Sequence, residues 1–147
     1  MNSELRDLYQ DVILSHYRQP KNWGDLPDSN ANAEGFNPLC GDRISVFLRV
    51  KDGVLEDIRV NGCGCAISCA SASMMTEAVK GKSVEEAEVV FEQFHRLVIE
   101  GEAQEDDDSE LSALAGVHEH PVRIKCATLA WHTLRAALRN EKQVSTE

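Results

Sequence analysis

With 147 residues and 16.3 kDa the chain is long enough to bury a core as one domain over 1–147, so it needs neither disulfides nor a metal merely to fold. A net charge of -10 excludes phosphate backbones as partners, because a polyanion would be repelled, and it favours a basic protein surface instead. No apolar run approaches the roughly 20 residues of a membrane span, and Met1-Asn2-Ser3-Glu4-Leu5-Arg6-Asp7 has no basic segment leading into an apolar one, so a cytoplasmic protein is expected.

Leu5, Leu8, Tyr9, Val12, Ile13 and His16 share one helical face, with Asn2 or Ser3 as a cap, which predicts a packing helix to about Tyr17. From Gln19 to Asn30 the density of Pro, Gly, Asn and Asp predicts an irregular segment held by Trp23. Ala31 to Phe36 reads as a short edge strand leading to Cys40. Ile44, Val46, Leu48 and Val50 then alternate, Lys51-Asp52-Gly53 forms a turn, and Val54 to Val60 returns as the second strand of a hairpin. Paired strands of similar length bring the chain back to its origin, so Asp42 and Cys65 should lie close together.

A helix follows over Ala66 to Lys80, with Ile67, Ala70, Ser71, Met74, Met75 and Ala78 at apolar spacing and Gly81 as a left-handed cap. Ser83-Val84-Glu85-Glu86 is a capping box, opening a helix to about Ile99 that buries Val84, Ala87, Val90, Phe91 and Phe94. The acidic run from Gly101 to Asp108 reads as a solvated, mobile loop or a partner contact. A short helix around Leu111 to Ala115 ends at Gly116. Pro121 opens the last helix, which carries Ile124, Thr128, Trp131, Leu134 and Leu138 before a polar tail from about residue 140. The outline is an α+β domain, a small, mainly antiparallel three-stranded sheet packed against helices.

The five cysteines are odd in number and lack disulfide-scaffold spacing, so metal ligands, nucleophiles and core residues are the readings to weigh. Cys65 sits where a glycine turn feeds a helix, and unpaired N–H groups there favour a thiolate. Cys40 lies in a Pro/Gly loop two residues before Asp42, and Cys126 lies just inside the last helix. Convergence of Cys40, Asp42, Cys65 and Cys126 would give three sulfurs and one oxygen, a set suited to tetrahedral zinc. Cys63 competes with Cys65, since Cys63-Gly64-Cys65 could chelate a metal or form a strained redox pair, whereas Cys69 reads as core packing. His118 and His120 could supply imidazole ligands or face solvent, and His95 and His132 fall within helices.

Asn37-Pro38-Leu39-Cys40-Gly41-Asp42, Gly64-Cys65-Ala66-Ile67-Ser68, Ala70-Ser71-Ala72-Ser73-Met74-Met75 and Arg123-Ile124-Lys125-Cys126-Ala127 together resemble the IscU/NifU N-terminal family of iron–sulfur cluster assembly proteins, over Leu8 to about Leu138. The resemblance implies ligand roles for Cys40, Cys65 and Cys126, with Asp42 beside them, and none for Cys63 or Cys69. Scaffold members carry histidine immediately before the last cysteine, where this chain has Lys125, and the segment from Val84 to Gly116 is longer than theirs. Both features are similar to the SufU branch of zinc-dependent sulfurtransferases. An ammonium is a poor metal ligand, which leaves Asp42 as the fourth.

That branch implies a SufS-type, pyridoxal-phosphate-dependent cysteine desulfurase as partner, with iron–sulfur assembly proteins downstream. Cys40, on the loop best able to swing, is the expected sulfur acceptor. A histidine of the desulfurase would replace it on zinc, and Arg123 and Lys125 would supply positive charge near the persulfide. The competing functions are a scaffold on which a [2Fe–2S] cluster is assembled on the same cysteines and a zinc-stabilised interaction module without chemistry.

Overall fold

The sheet is organised around the alternation at Ile44, Val46 and Leu48, all fully buried on one face. The computed structural model describes residues 3–101 and 110–145, with side chains from residue 9 onward except Cys63. Strand β2 (Asp42–Lys51) pairs antiparallel with β3 (Val54–Cys63), as the hairpin pattern predicts, and with β1 (Ala31–Asn37) on its other side. A bulge between Arg49 and Val50 shifts the register at the turn end of the hairpin.

Two departures from the expected sheet have local causes. The polar tail contributes a short β4 (Gln143–Ser145), parallel to β1, making four strands in the order β3-β2-β1-β4. β1 is therefore not an edge over Glu34–Phe36, and the tail lacked a detectable signal because three residues cannot display a period. At the opposite side Asn22 and Gly24 exchange backbone hydrogen bonds with Val60, so the irregular segment with Trp23 covers the β3 edge.

Two helices pack on the sheet's apolar face and the other helical elements pack against them. α1 (Ser3–Arg18) places Val12 and Ile13 against the core and buries His16. α2 (Ala66–Val79) is buried continuously from Ser68 to Thr76, much more than its predicted apolar stripe. Its small side chains admit α4 (Pro121–Leu138), whose Trp131 indole N–H donates to Ser71 Oγ while Ser71 Oγ donates to the Ala127 carbonyl. Pro121 opens α4 as expected.

α2 does not end in a left-handed cap at Gly81. Lys80 is extended, Gly81 takes φ 83°, and the Lys82 N–H donates to the Val79 carbonyl, which together make a β-turn with glycine at its third position. The Gly81 amide instead donates to the Leu55 carbonyl at the start of β3.

The predicted capping box opens α3 (Val84–Glu100), with Ser83 Oγ accepting from Glu86 N–H and the Glu86 carboxylate accepting from Ser83 N–H. Ala87, Phe91 and Phe94 are buried as expected, joined by Leu97 and Val98, whereas Val84 and Val90 are only partly covered. Beyond Gly101 the acidic run lies outside the described residues. The short helix expected at Leu111–Ala115 is a longer 3-10 helix, Glu110–Glu119, that continues through Gly116.

His95 and His132 pack within the helical layer, both against Phe91, with Arg135 over the same ring at 4.2 Å. Burial first, and then the charges of Arg135 and His95, lower the His132 pKa from 6.5 to about 4. As acid is added, the unfolded chain binds this proton near 6.5 and the folded chain only near 4, so stability falls with pH across that window. The thermal midpoint should drop between those two values, and His132→Gln should flatten the drop; an unaltered slope in the variant would place the acid sensitivity elsewhere.

Candidate metal centre

The buried faces of β1 and β2 run past their cores to the same end of the sheet. Ala33, Gly35 and Asn37 alternate inward on β1, Asp42 and Ile44 do so on β2, and Asn37 pairs directly with Asp42. Between them the loop 38–41 turns back, with Cys40 N–H donating to the Asn37 carbonyl and Gly41 at φ 70°. Cys40 is exposed on this loop.

Asp42 Oδ1 accepts the Cys65 N–H at 2.9 Å, which fixes the carboxylate at the amino end of α2. Such a charge-assisted bond contributes about 1.5–3 kcal/mol. Cys65 is the N-cap of α2 but makes no side-chain cap bond, and its Sγ lies 4.0 Å from Asp42 Oδ2. Cys126, buried in the second turn of α4, brings its Sγ to 3.4 Å from Cys40 Sγ. A Cβ on Gly64 would fall 2.7 Å from Asp42 Oδ1 and 2.8 Å from Ser68 Oγ, so glycine is required for the close approach.

Three of the four residues singled out in the sequence come within mutual reach, and the fourth, Cys65, lies beside them. One donor atom each from Cys40, Asp42 and Cys126 lie within 4.8 Å of one another, and Cys65 adjoins this group through Asp42. Burial raises the Cys126 pKa well above the ordinary thiol value, with further contributions from Cys40, Asp42 and the charge of Cys65. Three thiols and a carboxylate at such separations repel one another once ionised, and a divalent cation is the group that reverses this. Two buried polar atoms at the site, Asn37 Oδ1 and Ser68 Oγ, have no hydrogen-bond partner among the described residues. The donor set fits a tetrahedral thiophilic ion such as zinc, and these four residues could hold it.

Other sequence candidates stand apart. Cys69 is buried, and the side chain of Cys63 lies outside the description. His118 is half-buried with Nδ1 on the Ala115 carbonyl, and His120 is exposed at the start of α4; neither joins a metal-ligating group among the described residues. Arg123 is exposed on the first turn of α4, and Lys125 is half-buried at the start of the second. No ion pair or hydrogen bond among the described residues links either to the cysteines.

Sequence reasoning missed Asn37. Its Nδ2 donates to Asp42 Oδ2 at 3.3 Å and reaches Cys126 Sγ at 3.6 Å, orienting two donors at once. The available signal was an asparagine at the core-facing position of an alternating strand, where burial demands polar partners.

Comparison with known proteins agrees with this architecture. Residues 8–146 match the family model described as the NifU-like N terminal domain. The chain is 42% identical over 145 residues to the zinc-dependent sulfurtransferase SufU of Bacillus subtilis, covering 96% of each. It is 43% identical over 139 residues to the iron–sulfur cluster assembly scaffold protein IscU of Streptococcus pyogenes, covering 93% of this chain and 86% of the relative. The crystal structure of a nitrogen-fixing NifU-like protein (N-terminal) from Brucella abortus superposes with a TM-score of 0.82 at 25% identity, over 94% of this chain and 96% of that one. The chain belongs to the NifU-like N-terminal domain family, which includes the IscU and SufU proteins.

Proposed function

We propose that the chain acts as one domain over 1–147 in the cytoplasm, as a zinc-dependent sulfurtransferase of iron–sulfur cluster biogenesis. Cys40 accepts persulfide sulfur from a SufS-type, pyridoxal-phosphate-dependent cysteine desulfurase and delivers it to downstream assembly proteins. The observation that carries this reading is the pairing of an exposed Cys40, on a glycine-ended loop, with a buried Cys126 only 3.4 Å away. One sulfur can meet a partner while the others stay in place. Cys40, Asp42, Cys65 and Cys126 are the proposed ligands. When bound, zinc keeps clustered thiols deprotonated at neutral pH without redox chemistry of its own.

In the transfer step the Cys40 thiolate attacks the terminal sulfur of the desulfurase persulfide. A new S–S bond forms on Cys40 as the partner's S–S bond breaks, and the departing electron pair leaves the partner cysteine as a thiolate. No external oxidant or reductant is consumed. Arg123 and Lys125, three and one residues before Cys126, are proposed to add positive charge beside the anionic sulfur. Asn37 is proposed to be a positioning residue, since its amide holds Asp42 while the Cys65 N–H holds the other carboxylate oxygen.

A [2Fe–2S] scaffold is the second reading, supported by the 43% identity with the Streptococcus pyogenes scaffold. Lys125, in place of an additional imidazole, favours zinc. Metal analysis of freshly purified protein together with desulfurase turnover separates the readings: zinc with stimulated turnover supports transfer, and bound iron supports the scaffold.

Two variants test the assignments. Cys40→Ser should keep its fold, because the residue is exposed, while desulfurase turnover falls to the level of the desulfurase alone; full stimulation by this variant would overturn Cys40 as acceptor. Asn37→Ala should weaken zinc about 10–100-fold in competition with a chelator. Unchanged affinity would show that the amide only packs.

A further inference from the structure

Away from the cysteines, a cavity of about 230 Å³ is lined by His16, Met74, Glu77, Ala78, Glu110 and Leu111. Three elements bring donors to it: His16 from the last turn of α1, Glu77 from α2, and Glu110 from the first turn of the 3-10 helix. His16 Nε2 lies 2.6 Å from Glu110 Oε2 and 3.8 Å from Glu77 Oε1. One donor atom from each residue lies within 4.8 Å of the other two.

The histidine is held as a metal-binding ring is held. Its side chain is only 4% exposed, and Nδ1 sits 2.7 Å from Ser73 Oγ, which also accepts the Lys21 N–H at 2.7 Å. A hydroxyl oxygen has a second lone pair for an Nδ1–H, the tautomer that leaves the lone pair of Nε2 facing the cavity. The carboxylates reach in from solvent, being 49% and 59% exposed, so an ion and its waters have an entrance.

A simple ion pair accounts for only half of the arrangement. His16 and Glu110 alone would explain the 2.6 Å contact, yet Glu77 turns a second carboxylate toward the same nitrogen. Among the described residues neither glutamate has an ion-pair partner other than His16, so two like charges share one ring. A divalent cation between them would offset their repulsion.

We propose that His16, Glu77 and Glu110 form a second divalent-cation site, separate from the cysteines. One nitrogen and two carboxylates suit borderline and hard ions such as Mn2+, Fe2+ or Zn2+, in contrast to the thiolate set. The ion replaces any proton on Nε2, which leaves to water, and waters in the cavity complete its coordination. Occupation would fasten α1 and the 3-10 helix to α2.

Mn2+ is the discriminating probe, because thiolates hold it poorly. The free-Mn2+ signal in electron paramagnetic resonance should fall by one ion per full-length chain, and bound Mn2+ should raise the thermal midpoint. Glu77→Gln/Glu110→Gln changes two exposed side chains, so its fold can be confirmed by circular dichroism. It should weaken Mn2+ at least about tenfold and abolish the thermal shift. Cys40→Ser, and Asp106→Asn/Asp107→Asn/Asp108→Asn in the acidic run, should leave both readings as they are. The proposal is overturned by no bound Mn2+, by undiminished affinity in the double glutamine variant, or by loss of binding in the acidic-run variant.

Discussion

The carboxylate of Asp42 joins the sheet to the helices at the point where the cysteines gather. One oxygen takes the Cys65 amide at the head of α2, and the other faces the Asn37 amide on the adjacent strand and the Cys65 sulfur. Its side chain is 2% exposed, a position in which an ionised group is stable only with several donors around it. The strand pairing supplies Asn37, the helix start supplies Cys65, and α4 lays Cys126 against the same end. Loss of any one of these placements would leave a buried charge without its neighbours.

The packing of α2 makes that convergence possible. A helix surrounded on every side is ordinarily apolar throughout, yet this one buries Ser68, Ser71, Ser73 and Thr76. Three of the four reach other segments: Ser71 donates to α4, Ser73 meets His16 and accepts the Lys21 amide, and Thr76 accepts the Asn22 amide while donating to the Ser73 carbonyl of its own helix. Small side chains shorten the distance to α4, and the partnered hydroxyls tie α2 to α1, to the Lys21–Asn22 segment and to α4. Ser68, nearest the cysteines, lacks a protein partner among the described residues.

Much of this was legible in the residues. The hairpin followed from period-two alternation, its closure placed Asp42 beside Cys65, and the capping box at Ser83 located the start of α3 to the residue. Cys126 entered the same centre through resemblance and helix placement together. What escaped had physical reasons. β4 is too short to show a period and exists only because β1 offers it a parallel edge. The 3-10 helix passes through Gly116 because Ala113, Leu114, Ala115 and Val117 are buried, so tertiary packing overrides the local stop. Asn37 escaped because a buried amide looks like a turn residue until its neighbours are known. The seams among α1, α2 and the 3-10 helix were invisible for the same reason, since His16 and Glu110 are 94 positions apart.

The parallel docking of Gln143–Ser145 on β1 carries a further consequence. Glu34 already donates its amide to the Lys142 carbonyl, so the last strand occupies hydrogen-bonding positions that would otherwise invite another molecule. Two covered flanks, one by Asn22–Gly24 and one by the final strand, leave the sheet poorly suited to template growth by strand addition. The same protection makes the Gln143–Ser145 segment a guardian of colloidal behaviour, since without it the β1 edge at Glu34–Phe36 would lie open to another strand.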